Sequence, residues 1–112
     1  RYGWPLPDLL EIAPYVDAIE VFNARCLNAS MNAQAAEFAR QHHLAGTVGS
    51  DAHTLGELGQ ATLLLPPFAS AEDLKTVIWD GQQQARLSSV WVHFHSSLAR
   101  LRKRLNPRLN EL

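Results

Sequence analysis

The sequence predicts an α/β fold in which short, mostly parallel strands alternate with helices. Two observations indicate this fold. Short apolar runs at residues 15–23, 44–48 and 61–65 have the composition of strands, and the stretches 29–43 and 70–81 have a helical spacing of apolar residues. A third observation, the 46% of hydrophobic residues beside 19% of charged residues, predicts a packed core rather than a disordered chain.

The composition also bears on the class of function. A net charge of −1 gives no overall attraction to nucleic acid or to a membrane surface. No apolar run approaches the roughly 20 residues of a membrane-spanning helix. Cys26 is the sole cysteine, which excludes an internal disulfide framework and indicates a reducing, cytoplasmic location. We expect Cys26 to be a small, half-buried hydrophobic residue rather than a reactive thiol.

The first elements are a short helix and a strand. Pro7 suits the first turn of a helix, and Pro14 ends it. Residues 15–23 are rich in β-branched and aromatic side chains and therefore predict a strand. Regular alternation along this strand would place Glu20 and Asn23 on opposite faces. Glu20 is unusual there, because a buried carboxylate needs a cation or hydrogen-bond donors; the alternatives are a solvent-facing residue or a structural partner of an arginine.

The next element is a helix at residues 29–43, for which Ser30 is the predicted cap. Alanines on its apolar face favour helix and allow close packing. His42 and His43 lie in the last turn. Adjacent helical residues point about 100° apart, so these two histidines are interpreted as structural rather than as a pair of metal ligands.

Residues 44–54 contain the main candidates for metal-binding side chains. It begins as an apolar strand and ends in a small, polar loop that contains Asp51 and His53. In an extended segment, residues two apart point to the same side, so a carboxylate and an imidazole would aim at one point, as a metal ion requires. The alternative is a strand-end turn in which Asp51 caps the next helix and His53 is hydrogen-bonded at the surface.

Two further residues, Ser50 and Arg25, are candidates for substrate binding. Gly49 and Ser50 keep the backbone small enough for a ligand to approach. Arg25, just past the first strand, has forked donors that suit an anionic substrate group, although a surface charge is the alternative. Active sites in such folds collect at the carboxyl ends of the strands, where these residues are expected.

A third strand is predicted at residues 61–65 and at most a short fourth strand at 85–87. Between them, Ser70 is the predicted cap of a helix, with Asp73 at the matching position of a capping box.

The final segment, residues 88–112, predicts a long amphipathic helix with a basic tail. Its apolar residues, from Trp91 to Leu105, follow a 3-4-3-4 spacing. Its basic residues are interpreted as a solvated face, and contact with nucleic acid is the alternative. The sequence therefore predicts two parts: a first part at residues 1–87 and this final segment at residues 88–112.

Residues 17–25 (Asp-Ala-Ile-Glu-Val-Phe-Asn-Ala-Arg), followed by an alanine-rich helix and by residues 49–59 (Gly-Ser-Asp-Ala-His-Thr-Leu-Gly-Glu-Leu-Gly), resemble the C-terminal part of the PHP (polymerase and histidinol phosphatase) superfamily. The resemblance covers about residues 2–81 and is nearest to stand-alone metal-dependent phosphoesterases. It implies the C-terminal portion of a distorted (β/α)7 barrel with divalent ions at the strand ends. It also implies hydrolysis of a phosphoester by metal-activated water.

The resemblance implies roles for four residues. Asp51 and His53 match the last two metal ligands of the family, and Glu20 and Asn23 match a signature that we assign to catalysis beside the metal. The implied cofactor is divalent manganese, zinc or iron. The implied substrate is a phosphorylated small molecule or a nucleotide.

The family's other metal ligands, including its opening His-x-His and a His-Pro-Gly histidine, are absent. Arg1–Trp4 resembles the residues that follow His-Pro-Gly in that family. We therefore expect a C-terminal fragment that holds metal weakly and has little or no activity alone. A non-catalytic PHP-associated module that binds a partner protein is the alternative. A half-barrel would expose sheet edges and apolar faces, so that a stable fragment is expected either to form a homo-oligomer such as a dimer or to adopt a rearranged packing.

Overall fold

The computed structural model of the protein describes residues 3–87 as a small α/β arrangement. Its helices are α1 (Leu6–Ile12), α2 (Ala29–Gln41) and α3 (Ala71–Val77). Its strands are β1 (Ala18–Asn23), β2 (Ala45–Gly49), β3 (Ala61–Leu64) and β4 (Gln82–Ala85). Single 3-10 turns lie at Ala13–Tyr15, Leu55–Glu57 and Ile78–Asp80. The predicted alternation of strands and helices is confirmed for these residues.

The β1–α2–β2 unit contains the core. β1 and β2 pair in parallel, with α2 as the crossover between them, as the sequence predicts. The buried apolar cluster consists of Val21 from β1, Phe38 and Ala39 from α2, and Leu44 just before β2. Because β1 and β2 run in the same direction, their carboxyl ends meet at one edge, where Asn23 is opposite Gly49.

The pairing of β1 with β2 contains one irregularity. Glu20 is opposite Thr47, but Phe22 is opposite the very next residue, Val48, so Val21 is an extra residue in β1. The extra residue changes the alternation of side chains beyond it. Asn23 therefore lies on the same side as Glu20, and its side-chain amide donates to the Glu20 carboxylate at 3.0 Å. The prediction that these two residues face opposite ways is wrong for this reason.

Both ends of α2 are fixed by local hydrogen bonds. The cap is Asn28 rather than the predicted Ser30: the Asn28 side chain accepts from the Ser30 N–H at 2.9 Å. At the other end His43 has a left-handed backbone (φ +53°), and the N–H of Leu44 donates to the Ala39 carbonyl. His43 therefore terminates the helix, in agreement with its structural interpretation.

The second sheet contradicts the predicted portion of a barrel with mostly parallel strands. β4 pairs with β3 in antiparallel fashion, so that residues 3–87 contain two separate two-stranded sheets and no closed barrel. The physical reason lies in exposure: every residue of β4 is exposed, and β3 alternates between covered and exposed positions. Parallel strands are normally covered on both faces, whereas antiparallel strands tolerate solvent on one side.

The helix α3 begins as predicted. The Ser70 hydroxyl accepts from the N–H of Asp73 at 3.0 Å, and the Asp73 carboxylate accepts from the N–H of Ala69 at 3.2 Å. None of the helices between residues 3 and 87 has the length and apolar character to cross a membrane. The predicted long final helix and basic tail, residues 88–112, lie outside the described residues.

Candidate functional site

The carboxyl ends of β1 and β2 border a pocket of about 470 Å³. Five of the six residues that the sequence nominates for a site line this pocket: Glu20, Asn23, Arg25, Asp51 and His53. The rest of the lining comes from the start of the described chain, the loop after β1 and one side of α2: Gly3, Cys26, Met31, Asn32 and Ala35. Ser50, the sixth nominated residue, is partly buried at the end of β2 and is not part of this lining.

Asp51 and His53 lie side by side in the loop after β2. The Nδ1 atom of His53 is 3.6 Å from the Asp51 Oδ1 atom and 2.7 Å from the Asp51 backbone carbonyl oxygen. A carbonyl oxygen only accepts, so the hydrogen bond at 2.7 Å requires the proton to be on Nδ1. In the neutral imidazole this leaves the lone pair on Nε2. Both side chains are close to half exposed, at 46% for Asp51 and 47% for His53.

The backbone of Asp51 explains how the two side chains come together. Asp51 has a left-handed conformation with φ at +50°, which is uncommon for a residue other than glycine and is best tolerated by Asn and Asp. The segment is thus a sharp turn rather than the extended strand end assumed from the sequence. Asp51 also does not cap the following 3-10 turn, whose cap position is Thr54.

Asn23 connects the two strand ends. Its side-chain amide donates to the Glu20 carboxylate at 3.0 Å and to the Asp51 carboxylate at 3.4 Å, and its side-chain oxygen accepts from the Arg25 N–H at 2.9 Å. A donor shared between two carboxylates reduces their mutual repulsion. Asn23 therefore holds the acidic edge of the pocket together.

Gly49 allows the Glu20 carboxylate to approach β2. A Cβ atom at position 49 would lie 2.2 Å from the Glu20 Oε2 atom. No side chain fits there while Glu20 keeps its position, since a contact this short is far inside van der Waals separation. The present position of the Glu20 carboxylate thus requires a glycine at position 49.

Asn32 of α2 supports the end of β1. Its side-chain oxygen accepts from the Asn23 N–H at 3.1 Å, and its amide donates to the Asn23 carbonyl at 3.2 Å. These two hydrogen bonds pair the backbone N–H and the backbone carbonyl of Asn23, as a neighbouring strand would. They also fix α2 relative to the pocket.

Arg25 and Glu57 form a buried ion pair beneath the site. Arg25 is 8% exposed and Glu57 is 1% exposed, and the Arg25 Nη1 atom donates to the Glu57 Oε1 atom. The other carboxylate oxygen, Oε2, accepts from the His53 N–H at 3.0 Å and from the Thr54 hydroxyl at 2.9 Å. The alternative that Arg25 is a surface charge is therefore wrong.

The surroundings perturb the pKa values of two groups near the pocket. Burial favours the neutral form of Glu57, but hydrogen bonds from Thr54, from the His53 N–H and from Arg25 outweigh it and lower the pKa of this carboxyl. Burial, followed by the negative charges of Glu20 and Asp51, raises the pKa of the Cys26 thiol. Cys26 is half-buried and, with a raised pKa, mostly protonated at neutral pH, as its interpretation as an unreactive residue requires.

Comparison with known proteins finds a match to part of the chain. Residues 29–82 match the family described as PHP-associated. This match supports a PHP-associated C-terminal region at these residues and is consistent with a fragment of a PHP-superfamily protein. An uncharacterized protein of Methanocaldococcus jannaschii, MJ0417, is 43% identical over 51 residues, which are 46% of this chain and 22% of that protein. The chain thus spans about a fifth of the length of that relative, and no solved structure matches significantly.

The residues that match the PHP-associated family contribute one side of the pocket, which includes Asn32 on α2, Asp51 and His53. Glu57, beside the pocket, also lies among the matched residues. The opposite side, formed by Glu20, Asn23 and Arg25, precedes the matched residues. The site is therefore built from residues on both sides of the start of the family match, and its geometry depends on the pairing of β1 with β2.

Sequence reasoning missed Glu57, Asn32 and the pocket-lining position of Cys26. A signal for Glu57 was present: a glutamate with Thr54 three residues before it, in a loop that follows two candidate ligands. Its partner Arg25 is 32 residues away, so only the fold shows that the two meet. Asn32 gave no signal, because an asparagine in the first turns of a helix usually faces solvent or stabilises the turn itself.

Proposed function

We propose that this chain supplies Asp51 and His53 to a divalent-metal site of a phosphoester hydrolase whose remaining ligands come from outside residues 3–87. Two protein ligands are too few for a hydrolytic metal site. Among the described residues, no group of three or more His, Cys, Asp and Glu side chains is arranged to hold an ion. Completion by other residues is thus part of the proposal.

The hydrogen bond from His53 Nδ1–H to the Asp51 carbonyl oxygen, at 2.7 Å, is the observation that carries this proposal. Histidines that bind metal through one ring nitrogen usually donate the other N–H to a carbonyl or carboxylate, which fixes the tautomer and the ring. Here Nδ1 is used in this way, and the neighbouring Asp51 carboxylate is half exposed toward the same pocket. The donor set of one imidazole and one carboxylate suits manganese, zinc or iron.

The other residues have supporting roles in this proposal. A bound divalent ion supplies an acidified water and charge neutralisation for the phosphoryl group. Asn23 holds the carboxylates of Glu20 and Asp51 in place through its amide. Glu20, whose carboxylate shares the Asn23 amide with Asp51, would accept a proton from a water in the pocket. Arg25 lines the pocket, and its pairing with Glu57 orients the loop after β1; in this proposal it is the candidate for contact with an anionic substrate group.

The proposal is tested by binding of Mn²⁺ to the full chain, followed by paramagnetic broadening of backbone NMR signals. We expect broadening around residues 51–53, and loss of that broadening in Asp51→Asn and His53→Asn. His43→Asn is the matched control, because His43 is an exposed histidine at a helix end with a left-handed backbone that asparagine tolerates.

In a protein that supplies the missing ligands, both site variants should lower kcat/KM for phosphoester hydrolysis. The loss should exceed the roughly 10- to 100-fold that changes in outer partners of a metal site cost. Broadening that is insensitive to Asp51→Asn, or activity that survives both changes, would refute the assignment.

A second candidate function is a non-catalytic PHP-associated module that packs on another protein surface. The observation that favours it is the exposure of large apolar side chains, among them Tyr15 at 87%, Leu55 at 88% and Leu58 at 63%. Leu55 and Leu58 lie in the loop just after the candidate ligands. If Leu55→Ser abolishes association with a partner while Mn²⁺ binding is absent from the wild type, this second function replaces the first.

A further inference from the structure

Glu57 is the largest side chain among residues 3–87 that is almost completely enclosed, at 1% exposure. Burying a carboxylate is costly unless each oxygen is hydrogen-bonded. Glu57 meets this condition with three donors from two loops: Arg25 on one oxygen, and the His53 N–H with the Thr54 hydroxyl on the other. One buried carboxylate thus links the loop after β1 to the loop after β2.

Hydrogen bonds hold both the backbone and the ring of His53. Its backbone N–H is held by Glu57, and its ring is held through Nδ1–H by the carbonyl oxygen of Asp51. The same turn contains Asp51 in a left-handed conformation, which has to be stabilised by its surroundings. Without the hydrogen bond that Glu57 accepts from the His53 N–H, the C-terminal end of the turn that orients the His53 ring is no longer held in place.

We infer that Glu57 is a positioning residue that fixes the tautomer and direction of the His53 ring and, through Arg25, the opposite side of the pocket. The inference rests on the proposed function only for its effect on metal binding; the effect on His53 itself is independent of any metal. Glu57 does not line the pocket, so it acts through His53 and Arg25 and not by contact with a ligand.

A glutamine cannot replace Glu57 in this arrangement. The carboxylate accepts on both oxygens, whereas a glutamine would direct an NH₂ group at either Arg25 or the His53 N–H. The variant Glu57→Gln thus removes one of the two links while keeping the size of the side chain. The matched control is Glu37→Gln, because Glu37 also accepts from an arginine, Arg40, but is exposed on α2 away from the pocket.

The experiment measures three properties of the full chain: the tautomer of each histidine from imidazole nitrogen shifts, the exchange of the His53 amide proton, and the affinity for Mn²⁺ alone. In the wild type we expect the Nδ1–H tautomer at His53 and a protected His53 amide. In Glu57→Gln we expect a mixture with the Nε2–H tautomer, faster exchange, and Mn²⁺ affinity lower by about 10- to 100-fold. Glu37→Gln should change none of the three.

The outcomes separate the inference from the proposed function. If Mn²⁺ binding requires His53 but Glu57→Gln leaves affinity and tautomer unchanged, the role of Glu57 is refuted and the proposed function stands. If the wild type does not bind Mn²⁺ at His53, the proposed function fails, and the tautomer and exchange data still judge Glu57. If Glu57→Gln does not fold, the wild-type amide decides: exchange of His53 as fast as that of exposed neighbours refutes the inference.

Discussion

The two sheets of this protein are built in different ways. The β1–β2 sheet is covered by α2 and contains the buried residues Val21 and Ala45. In the β3–β4 sheet, β4 is exposed along its whole length and α3 contributes no buried residue. The pocket lies at the end of the well-packed sheet. Packing is thus concentrated where side chains must be held in place, and we expect the second sheet to open at a lower free energy.

The largest expected difference between the two sheets concerns two phenylalanines. Phe38 on α2 is 9% exposed and belongs to the core, whereas Phe68, just after β3, is 50% exposed. We expect Phe38→Ala to lower the free energy of unfolding by about 3–5 kcal/mol, since truncation of a buried ring leaves a cavity. Phe68→Ala should cost less than about 1 kcal/mol. Urea denaturation measures both, and equal losses would mean that the sheets are equally well packed.

A smaller effect is expected from two glycines. A Cβ on Gly46 of β2 would lie 2.8 Å from a methyl group of the buried Val21, whose branched side chain cannot easily turn away. Gly46→Ala should therefore destabilise the protein by about 1–3 kcal/mol through overpacking. Gly56 has no atom within 4 Å of the added Cβ, so Gly56→Ala is the matched control and should be neutral or slightly stabilising. Thermal unfolding of both variants tests this, and a neutral Gly46→Ala would show that the β1–β2 sheet adjusts freely.

The smallest effects concern the helix caps, one beside each sheet. Asn28 caps α2 and Ser70 caps α3 through equivalent side-chain bonds, and each change to alanine should cost about 0.5–2 kcal/mol. The two changes should differ in which amides they affect. By hydrogen exchange, Ser70→Ala should accelerate only residues 61–85 if the second sheet opens by itself, whereas Asn28→Ala should accelerate the β1–β2 unit. Uniform acceleration in both variants would mean that the two sheets unfold as one cooperative unit.

The part of the fold that the sequence predicted correctly rests on local patterns. The apolar runs gave β1, β2 and β3, the spacing within α2 gave its buried face, and Ser70 marked the start of α3. The antiparallel partner β4 is Gln-Gln-Gln-Ala, which has neither the apolar run nor the branched residues of a typical strand. Its pairing is decided by β3 rather than by its own composition, so the prediction of mostly parallel strands was wrong.

The site was predictable in its position but not in its connections. The placement of Asp51 and His53 after a strand, beside the end of β1, followed from the order of elements. Their sharp turn, with its left-handed residue, did not, because Asp permits that conformation without requiring it. The bonds of Glu57 to Arg25 and of Asn32 to Asn23 join distant parts of the chain, and no local pattern encodes them.

The additional residue at Val21 makes the number of residues in β1 as important as their chemical nature. Insertion of one further residue between Glu20 and Asn23, with a single extra residue in the pairing as now, would turn the Asn23 side chain to the opposite face of the strand, away from the Glu20 and Asp51 carboxylates. A change of length would thus dismantle the acidic edge while leaving every participating amino acid in the sequence.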